Sequence, residues 1–146
     1  GGSVPSRAVP GFDQVAFKVH RSVVPATSSQ PKRCALLANT ESERARGLMN
    51  RRDLAGYEGM IFEFTQAGLD PFYMKDTLIP LSIAWFDDSG RFVSATDMVP
   101  CSQGTQCQLY YPAAPARLAI EVRQGQLSAL GIGPGSTISI GGPCVT

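Results

Sequence analysis

Two charged residues stand side by side near the start of a segment that is otherwise apolar and aromatic. Lys75 and Asp76 lie within FYMKDTLIPLSIAWF, residues 72–86, whose composition predicts a buried strand. Burying an unpaired charge is costly, so each of the two needs a partner or an opening to water. Because neighbouring side chains of a strand point to opposite faces, we expect separate partners. Glu121 is the partner expected for Lys75, and Arg46 is the partner expected for Asp76.

These charges fit two interpretations. In the first, which the sequence favours, they form structural salt bridges that lock a helix to a sheet. In the second, they line a polar cleft that binds a ligand. The ligand-binding residues expected at this cleft are Arg46, Lys75, Asp76, Thr77, Tyr110 and Glu121.

If the cleft has a function, binding of a small ligand needs the least precise geometry. Arg46 and Lys75 are suited to an anionic or glycan ligand because they are hydrogen-bond donors that carry positive charge. Phe72, Tyr73 or Tyr110 would supply a flat surface for it. We therefore expect a binding module rather than an enzyme.

Two alternatives remain open. One is a hydrolase or transferase in which Asp76 and Glu121, weak catalytic candidates, act as general acid and base. The other is a structural accessory protein of a cell-envelope complex, in which the charges only stabilise the fold.

The sequence predicts neither a metal site nor a bound cofactor. His20 is the only histidine and precedes a polar loop, so we expect it at the surface. The four methionines are dispersed, as in core packing. GIGPGS, residues 131–136, has glycines but lacks the lysine of a phosphate-binding loop, and we interpret it as a turn before the last strand.

The four cysteines allow three disulfide connectivities, and their spacing fits no zinc pattern. We favour Cys101 with Cys107, which close a small loop around Gly104, and Cys34 with Cys144. Disulfides need an oxidising compartment, so we expect a secreted, periplasmic or membrane-anchored protein whose signal segment has been removed.

The composition bounds the remaining possibilities. The chain has 146 residues, of which 43% are hydrophobic and 17% charged, and its net charge is +1. A charge so close to zero gives no electrostatic basis for binding nucleic acid. No apolar segment approaches the roughly 20 residues of a transmembrane helix. We expect a monomer that has at most an envelope protein as a partner.

Short apolar or alternating segments predict a mainly β (α+β) fold. They indicate seven or eight short strands and one or two short helices, as in a compact β-sandwich or barrel-like sheet. The predicted strands are 15–19, 34–38, 59–64, 72–86, 91–98, 116–122 and STISI near the end. A Pro/Ser-rich loop follows the first strand, and DDSG at 87–90 predicts a hairpin turn. We expect a flexible linker over residues 1–14 and a single globular domain over residues 15–146.

One helix has a clear start signal. Thr40 and Glu43 form a capping-box pattern, which predicts a helix from Glu41 to about Asn50. In that helix Ala45, Leu48 and Met49 would face inward. A second helical turn, in GQLSALGI, would end at Gly131.

Five ordered blocks resemble the domain-of-unknown-function 192 family, which comprises small prokaryotic, often exported proteins. They are ESERARGLMNRRDL, GMIFEF, FYMKDTLIPLSIAWFDDSGRFV, PCSQGTQCQLYYP and LAIEVRQG with LGIGPGSTI, and they run from about Cys34 to Ile140. The resemblance implies a compact β-rich single domain without a settled activity. The family usually has Trp at the position of Tyr73, Asn at that of Asp76 and Asp at that of Ser82. If the Asp at the last position were an essential catalytic group, this chain would be inactive.

Overall fold

The fold is one curled, seven-stranded sheet, described for residues 11–21, 30–101 and 106–144 of the computed structural model. The strands follow the order β5-β4-β6-β3-β2-β1-β7 across the sheet. They are β1 (Asp13–Arg21), β2 (Arg33–Ala38), β3 (Gly59–Gly68), β4 (Leu81–Phe86), β5 (Phe92–Met98), β6 (Ala116–Arg123) and β7 (Ser136–Ile140). The helices are α1 (Glu41–Arg46) and a 3-10 helix at Ser128–Leu130. The predicted mainly β fold is confirmed.

The two ends of the sheet approach each other where β7 meets the hairpin between β4 and β5. The Asp87 side chain accepts hydrogen bonds from the backbone N–H groups of Ser89 and Arg91, both at 2.9 Å, so DDSG forms the predicted turn. The Ile138 N–H then donates to the Gly90 carbonyl at 2.8 Å. Gly90 has φ +80, and a Cβ there would overlap the Ile138 carbonyl oxygen. The hairpin tip therefore joins the strands at opposite ends of the sheet.

Both faces of the sheet are buried. One face carries an apolar cluster formed mainly by the strands themselves, including Phe17, Phe86 and Ile120. The other packs against loops and the turn after α1. That second cluster has the following members: Cys34, Leu36, Ala38, Leu48, Leu54, Tyr57, Met60, Phe62, Phe72, Met74, Ile79, Leu81, Ile83, Trp85, Met98, Tyr110, Ala116, Ala119 and Cys144. We call this side the covered face.

The segment 72–86 is a strand only in its second half, so the prediction of one continuous strand was wrong. The sheet begins at Leu81, and residues 72–80 form a loop with isolated bridges. Asp76 has φ +54, a left-handed conformation that interrupts an extended chain. Because the backbone turns there, the alternation of side chains assumed for Lys75 and Asp76 does not apply.

Helix α1 begins as predicted and ends earlier than expected. The Thr40 hydroxyl accepts from the Glu43 N–H and the Glu43 carboxylate accepts from the Thr40 N–H, which completes the capping box. The helix stops at Arg46 because Gly47 has φ +48. Of the residues expected to face inward, Leu48 is buried but Ala45 is exposed.

The structure contains two disulfides, which join the pairs favoured by the spacing. Cys34 on β2 bonds to Cys144 with a Cα–Cα distance of 5.5 Å. Cys101 bonds to Cys107 with a Cα–Cα distance of 5.7 Å. Gly104 and the rest of 102–105 lie outside the described residues, as do most of the predicted linker and the Pro/Ser-rich loop at 22–29.

Candidate functional site

A cavity of about 500 Å³ opens on the covered face of the sheet. Its walls come from four parts of the chain: α1 and its following turn, β3 from Phe62 to Gln66, the loop after β3, and one residue of β6. The lining residues are Glu41, Arg44, Ala45, Arg46, Gly47, Leu48, Met49, Phe62, Phe64, Thr65, Gln66, Asp70, Pro71, Phe72, Tyr73, Thr77 and Glu121. The volume lies within the range of small-molecule sites.

Glu121 is the most unusual lining residue because it is an acid on a central strand. Its direct neighbours across the sheet are Met60 on β3 and Ile83 on β4, both fully buried. The residue is only 5% exposed. Among the described residues, no hydrogen bond or ion pair reaches its carboxyl group. A hydrogen-bond partner for this carboxyl group would therefore have to occupy the cavity.

The protonation of Glu121 follows from this position. Burial raises the pKa of the Glu121 carboxyl from 4.5 to about 8, because an ion surrounded by apolar side chains loses its hydration. The group is then mainly protonated at neutral pH. A protonated carboxyl donates one hydrogen bond and accepts others, so it can pair with a hydroxyl group from either side.

Arg44 fastens the helical wall of the cavity to the sheet. Its guanidinium donates to the Glu63 carbonyl of β3 at 3.0 Å. The same group lies 5.0 Å from the centre of the Phe64 ring. Both contacts hold α1 in place, since a cation over an aromatic face is attracted to it.

Arg46 occupies the next position along the rim and is also engaged. It donates to the Gly11 carbonyl at 3.0 Å and lies 4.4 Å from the centre of the Phe12 ring. Both arginines lining the cavity thus have partners within the protein.

Aromatic rings form much of the apolar wall. Phe72 meets Phe62 edge-on with ring centres 5.0 Å apart, and it meets Phe64 in the same manner at 6.1 Å. Tyr73 also lines the cavity but is 41% exposed, which places it at the mouth.

The loop after β3 is held against the helical wall through its backbone. The Asn50 N–H donates to the Asp76 carbonyl at 2.8 Å. One residue further, Thr77 is buried and lines the cavity, and its hydroxyl donates to the Lys75 carbonyl at 3.2 Å.

The structure brings together half of the six predicted ligand-binding residues. Arg46, Thr77 and Glu121 line the cavity, whereas Lys75, Asp76 and Tyr110 are absent from its lining. Neither expected salt bridge, Lys75 with Glu121 or Arg46 with Asp76, is present among the described residues. Lys75 is exposed and bridges Cys101, while the Tyr110 side chain is buried in the covered face.

The catalytic pair considered from sequence does not share the cavity either. Glu121 lines it and Asp76 does not; the other carboxylates that do are Glu41 and Asp70. No group of three or more potential metal ligands occurs in the part of the chain that the structure describes.

Ser82 has a structural role in this chain. Its buried hydroxyl donates to the Asp97 carboxylate at 2.6 Å and accepts from the Gly125 N–H at 3.0 Å. It joins β4 to β5 and to the turn after β6, and it does not line the cavity.

Several lining residues escaped prediction. Arg44 on α1 and Asp70 after β3 were not singled out, and Thr65 and Gln66 were missed because the strand was expected to end at residue 64. β3 instead continues to Gly68. The polar run TQ after GMIFEF was the available signal that the strand leaves the core and reaches a solvent-filled space.

Comparisons with known proteins agree on the fold. The DUF192 family model, described as Uncharacterized ACR, matches residues 23–140. A protein of unknown function from Novosphingobium aromaticivorans DSM 12444 is 29% identical, with a TM-score of 0.75 over 94% of this chain and 93% of that one. A proposed transcription regulator from Sinorhizobium meliloti 1021 is 24% identical, with a TM-score of 0.73 over 88% of this chain and 94% of that one, a likeness of fold alone. A search of curated proteins gave no match. No helix in the described ranges is long and apolar enough to cross a membrane.

Proposed function

The chain belongs to the DUF192 family, and we propose that it binds a small, neutral, hydroxyl-bearing molecule of the saccharide class in the cavity at Glu121. One observation carries this proposal: a buried carboxyl group lines the cavity and has no partner among the described residues. The part of the chain that the structure describes supplies no hydrogen bond to this group, so a ligand hydroxyl in the cavity can form one, and the surrounding apolar side chains strengthen it.

The charges around the cavity favour a neutral ligand. Glu41 and Asp70 oppose Arg44 and Arg46, so the ionised residues of the lining sum to zero when Glu121 is protonated. Each guanidinium is already held by a backbone carbonyl and an aromatic ring. The lining therefore offers an anion no net positive charge, whereas a hydroxyl group needs hydrogen-bond partners and no net charge.

The aromatic wall suits the apolar face of a sugar ring. Phe62 and Phe72 line the cavity with their rings edge-on to each other, and the exposed Tyr73 lies at its mouth. Such surfaces bury the C–H groups of a saccharide, while Glu121 and Thr77 supply polar contacts. The site therefore combines the two kinds of contact that a sugar offers.

Isothermal titration calorimetry and NMR with glucose and N-acetylglucosamine test the proposal. We expect binding of at least one of them, with shifted amide signals at Thr77 and Glu121. The variant Glu121→Ala should lose the binding, whereas Glu63→Gln, outside the cavity on β3, should keep it. Unchanged spectra with both sugars, or equal affinity in Glu121→Ala, would overturn the proposal.

We also propose that the protein works outside the cytoplasm. The support is the two disulfides, since such bonds persist in oxidising compartments. Protein taken from its native cells under thiol-blocking conditions should carry no free cysteine by mass spectrometry. Blocked thiols at all four positions would contradict this localisation.

A further inference from the structure

An exposed apolar ribbon begins at the mouth of the cavity. Phe72 and Tyr110 form an antiparallel bridge in which each N–H donates to the other carbonyl, at 2.9 and 2.8 Å. Both side chains are buried, each 9% exposed, so their neighbours along the chain point the other way. Those neighbours are Pro71, Tyr73, Leu109 and Tyr111, all exposed. We call these four residues the ribbon face.

The antiparallel register fixes how the ribbon face is arranged. It sets Tyr73 opposite Leu109 and Pro71 opposite Tyr111, one pair on each side of the bridge. Leu109 is 48% and Tyr111 57% exposed. The four side chains therefore form one small apolar surface that is open to water.

The ribbon face and the cavity are continuous. Pro71 and Tyr73 belong to both, because they line the cavity while their strand mates Leu109 and Tyr111 do not. A ligand that extends from the cavity past Tyr73 therefore meets the ribbon face directly.

The ribbon is held in place from behind. The Cys101 N–H donates to the Met74 carbonyl at 3.3 Å, and Cys101 is fixed by its disulfide to Cys107. The Val99 N–H contacts the Tyr110 hydroxyl at 3.4 Å. A surface that is already ordered loses little entropy when a ligand binds to it.

Resting on the proposed saccharide function, we propose that the ligand is an oligosaccharide whose end unit fills the cavity and whose next units lie on the ribbon face. Tyrosine rings and proline offer flat apolar surfaces to the C–H faces of successive sugars, and the sugar hydroxyls remain in water. An oligosaccharide fits this arrangement because Tyr73 lies both at the cavity, which is partly polar, and on the ribbon face, which is apolar.

The test compares short and long ligands. Affinities are measured by calorimetry for glucose and maltotetraose, and for N-acetylglucosamine and its β-1,4-linked tetramer. We expect one tetramer to bind at least about tenfold more tightly than its monomer. Tyr111→Ala should remove most of this gain and leave monomer affinity unchanged, because Tyr111 lies outside the cavity. Tyr111→Phe should keep the gain.

Two variants provide the controls. His20→Ala removes an exposed ring on β1 and should change neither affinity. Glu121→Ala should weaken monomer and tetramer alike, which separates the cavity from the ribbon face. Both Tyr111 variants alter a side chain that is mostly in water, so the fold should remain intact.

Each other outcome overturns the inference. Equal affinities for monomer and tetramer would remove the ribbon face from the site and leave the proposed function standing. A tetramer gain that survives in Tyr111→Ala would do the same. If a second copy of the chain covers the ribbon face, the protein should sediment as a dimer that Tyr111→Ala dissociates. If the ribbon face contacts lipid, the protein should bind phospholipid vesicles. In both cases the affinities for monomer and tetramer would be equal. Absence of binding by all four saccharides would overturn the proposed function together with this inference.

Discussion

The carboxyl group of Glu121 lies between two apolar neighbours on a central strand, a position that most folds fill with an aliphatic residue. Protonation lowers the cost of burying this group, because the neutral acid loses less hydration free energy than the ion. The same neutrality makes the group a hydrogen-bond donor. Stability and ligand binding should therefore depend on the same proton.

Stability should fall as pH rises through the titration of Glu121. The folded-state pKa of about 8 lies above the ordinary value of 4.5, so the folded state binds a proton that the unfolded state releases between these values. The contribution to the free energy of unfolding is complete below pH 4.5 and is lost towards pH 8, at up to about 1.4 kcal/mol per pH unit. Urea unfolding of Glu121→Gln should lack this slope and show a variant more stable than the parent at pH 9.

The control for this experiment is Glu63→Gln, which alters a partly exposed carboxylate on the neighbouring strand, 3.7 Å from Arg117. It should retain the slope of the parent protein. Parallel pH profiles for the parent and Glu121→Gln would contradict the assignment. The other charged residues around the cavity, Glu41, Arg44, Arg46 and Asp70, are unchanged in both variants.

Asp76 should tolerate only residues that accept a left-handed backbone. Its φ is +54, and its carbonyl receives the Asn50 N–H. Asp76→Asn should leave the free energy of unfolding nearly unchanged, whereas Asp76→Val should lower it by about 1 to 2 kcal/mol because a β-branched side chain is strained there. Thermal unfolding of both variants measures this, and equal effects would refute a conformational role.

The composition of the cavity could be foreseen only in part. Glu121 and Arg46 attracted attention because charges within apolar blocks need partners. Lys75 seemed equivalent to Glu121, yet it lies in water, since the strand assumed around it is a loop. The loop contains the left-handed residue Asp76, and backbone conformations of this kind leave little trace in a hydrophobic pattern.

At the scale of elements, substitution of Gly90 at the hairpin tip should disturb the contact that joins the two ends of the sheet. A Cβ there meets the Ile138 carbonyl, whereas a Cβ at Gly125 has nothing within 4 Å, although φ is positive at both. Gly90→Ala should therefore destabilise the protein by about 1 to 3 kcal/mol more than Gly125→Ala. Both variants place a side chain at a positive φ. The difference between their free energies of unfolding, measured by chemical denaturation, therefore reports the steric overlap with Ile138 alone.

Hydrogen exchange adds a local readout to the Gly90 experiment. If the hairpin tip holds the ends of the sheet together, Gly90→Ala should raise the exchange rate of the Ile138 amide, which donates to Gly90. The Gly125 variant should not. Similar losses of stability in both variants, with unchanged exchange at Ile138, would show that the contact contributes little.

The elements themselves were largely accessible from local patterns. The capping box at Thr40, the turn residues after Phe86 and the alternation of β6 each specify their structure within a few residues. The strand order was not accessible, because it depends on pairings such as that of β1 with β7. Such pairings join residues far apart in sequence and are decided by the packing of the whole core.

At the scale of the molecule, the two disulfides should differ in their effect on stability. Cys34 and Cys144 are 110 residues apart, and Cys101 and Cys107 only 6. The chain-entropy account gives about 5 kcal/mol for the long connection and about 2 kcal/mol for the short one. Replacing each pair by alanine should therefore lower the free energy of unfolding more for Cys34 and Cys144, as measured in guanidinium. The reverse order would contradict this account.

The place of β7 beside β1 has a consequence for biosynthesis. Of the two strands that flank β1, one is β7, which is the last of the seven described strands in sequence order, from Ser136 to Ile140. While the ribosome is still adding residues, β1 has an unsatisfied edge, and the Cys34 thiol waits for a partner at position 144. Because such distant pairings are slow to form, this edge of the nascent sheet stays open until residues up to Cys144 have been made.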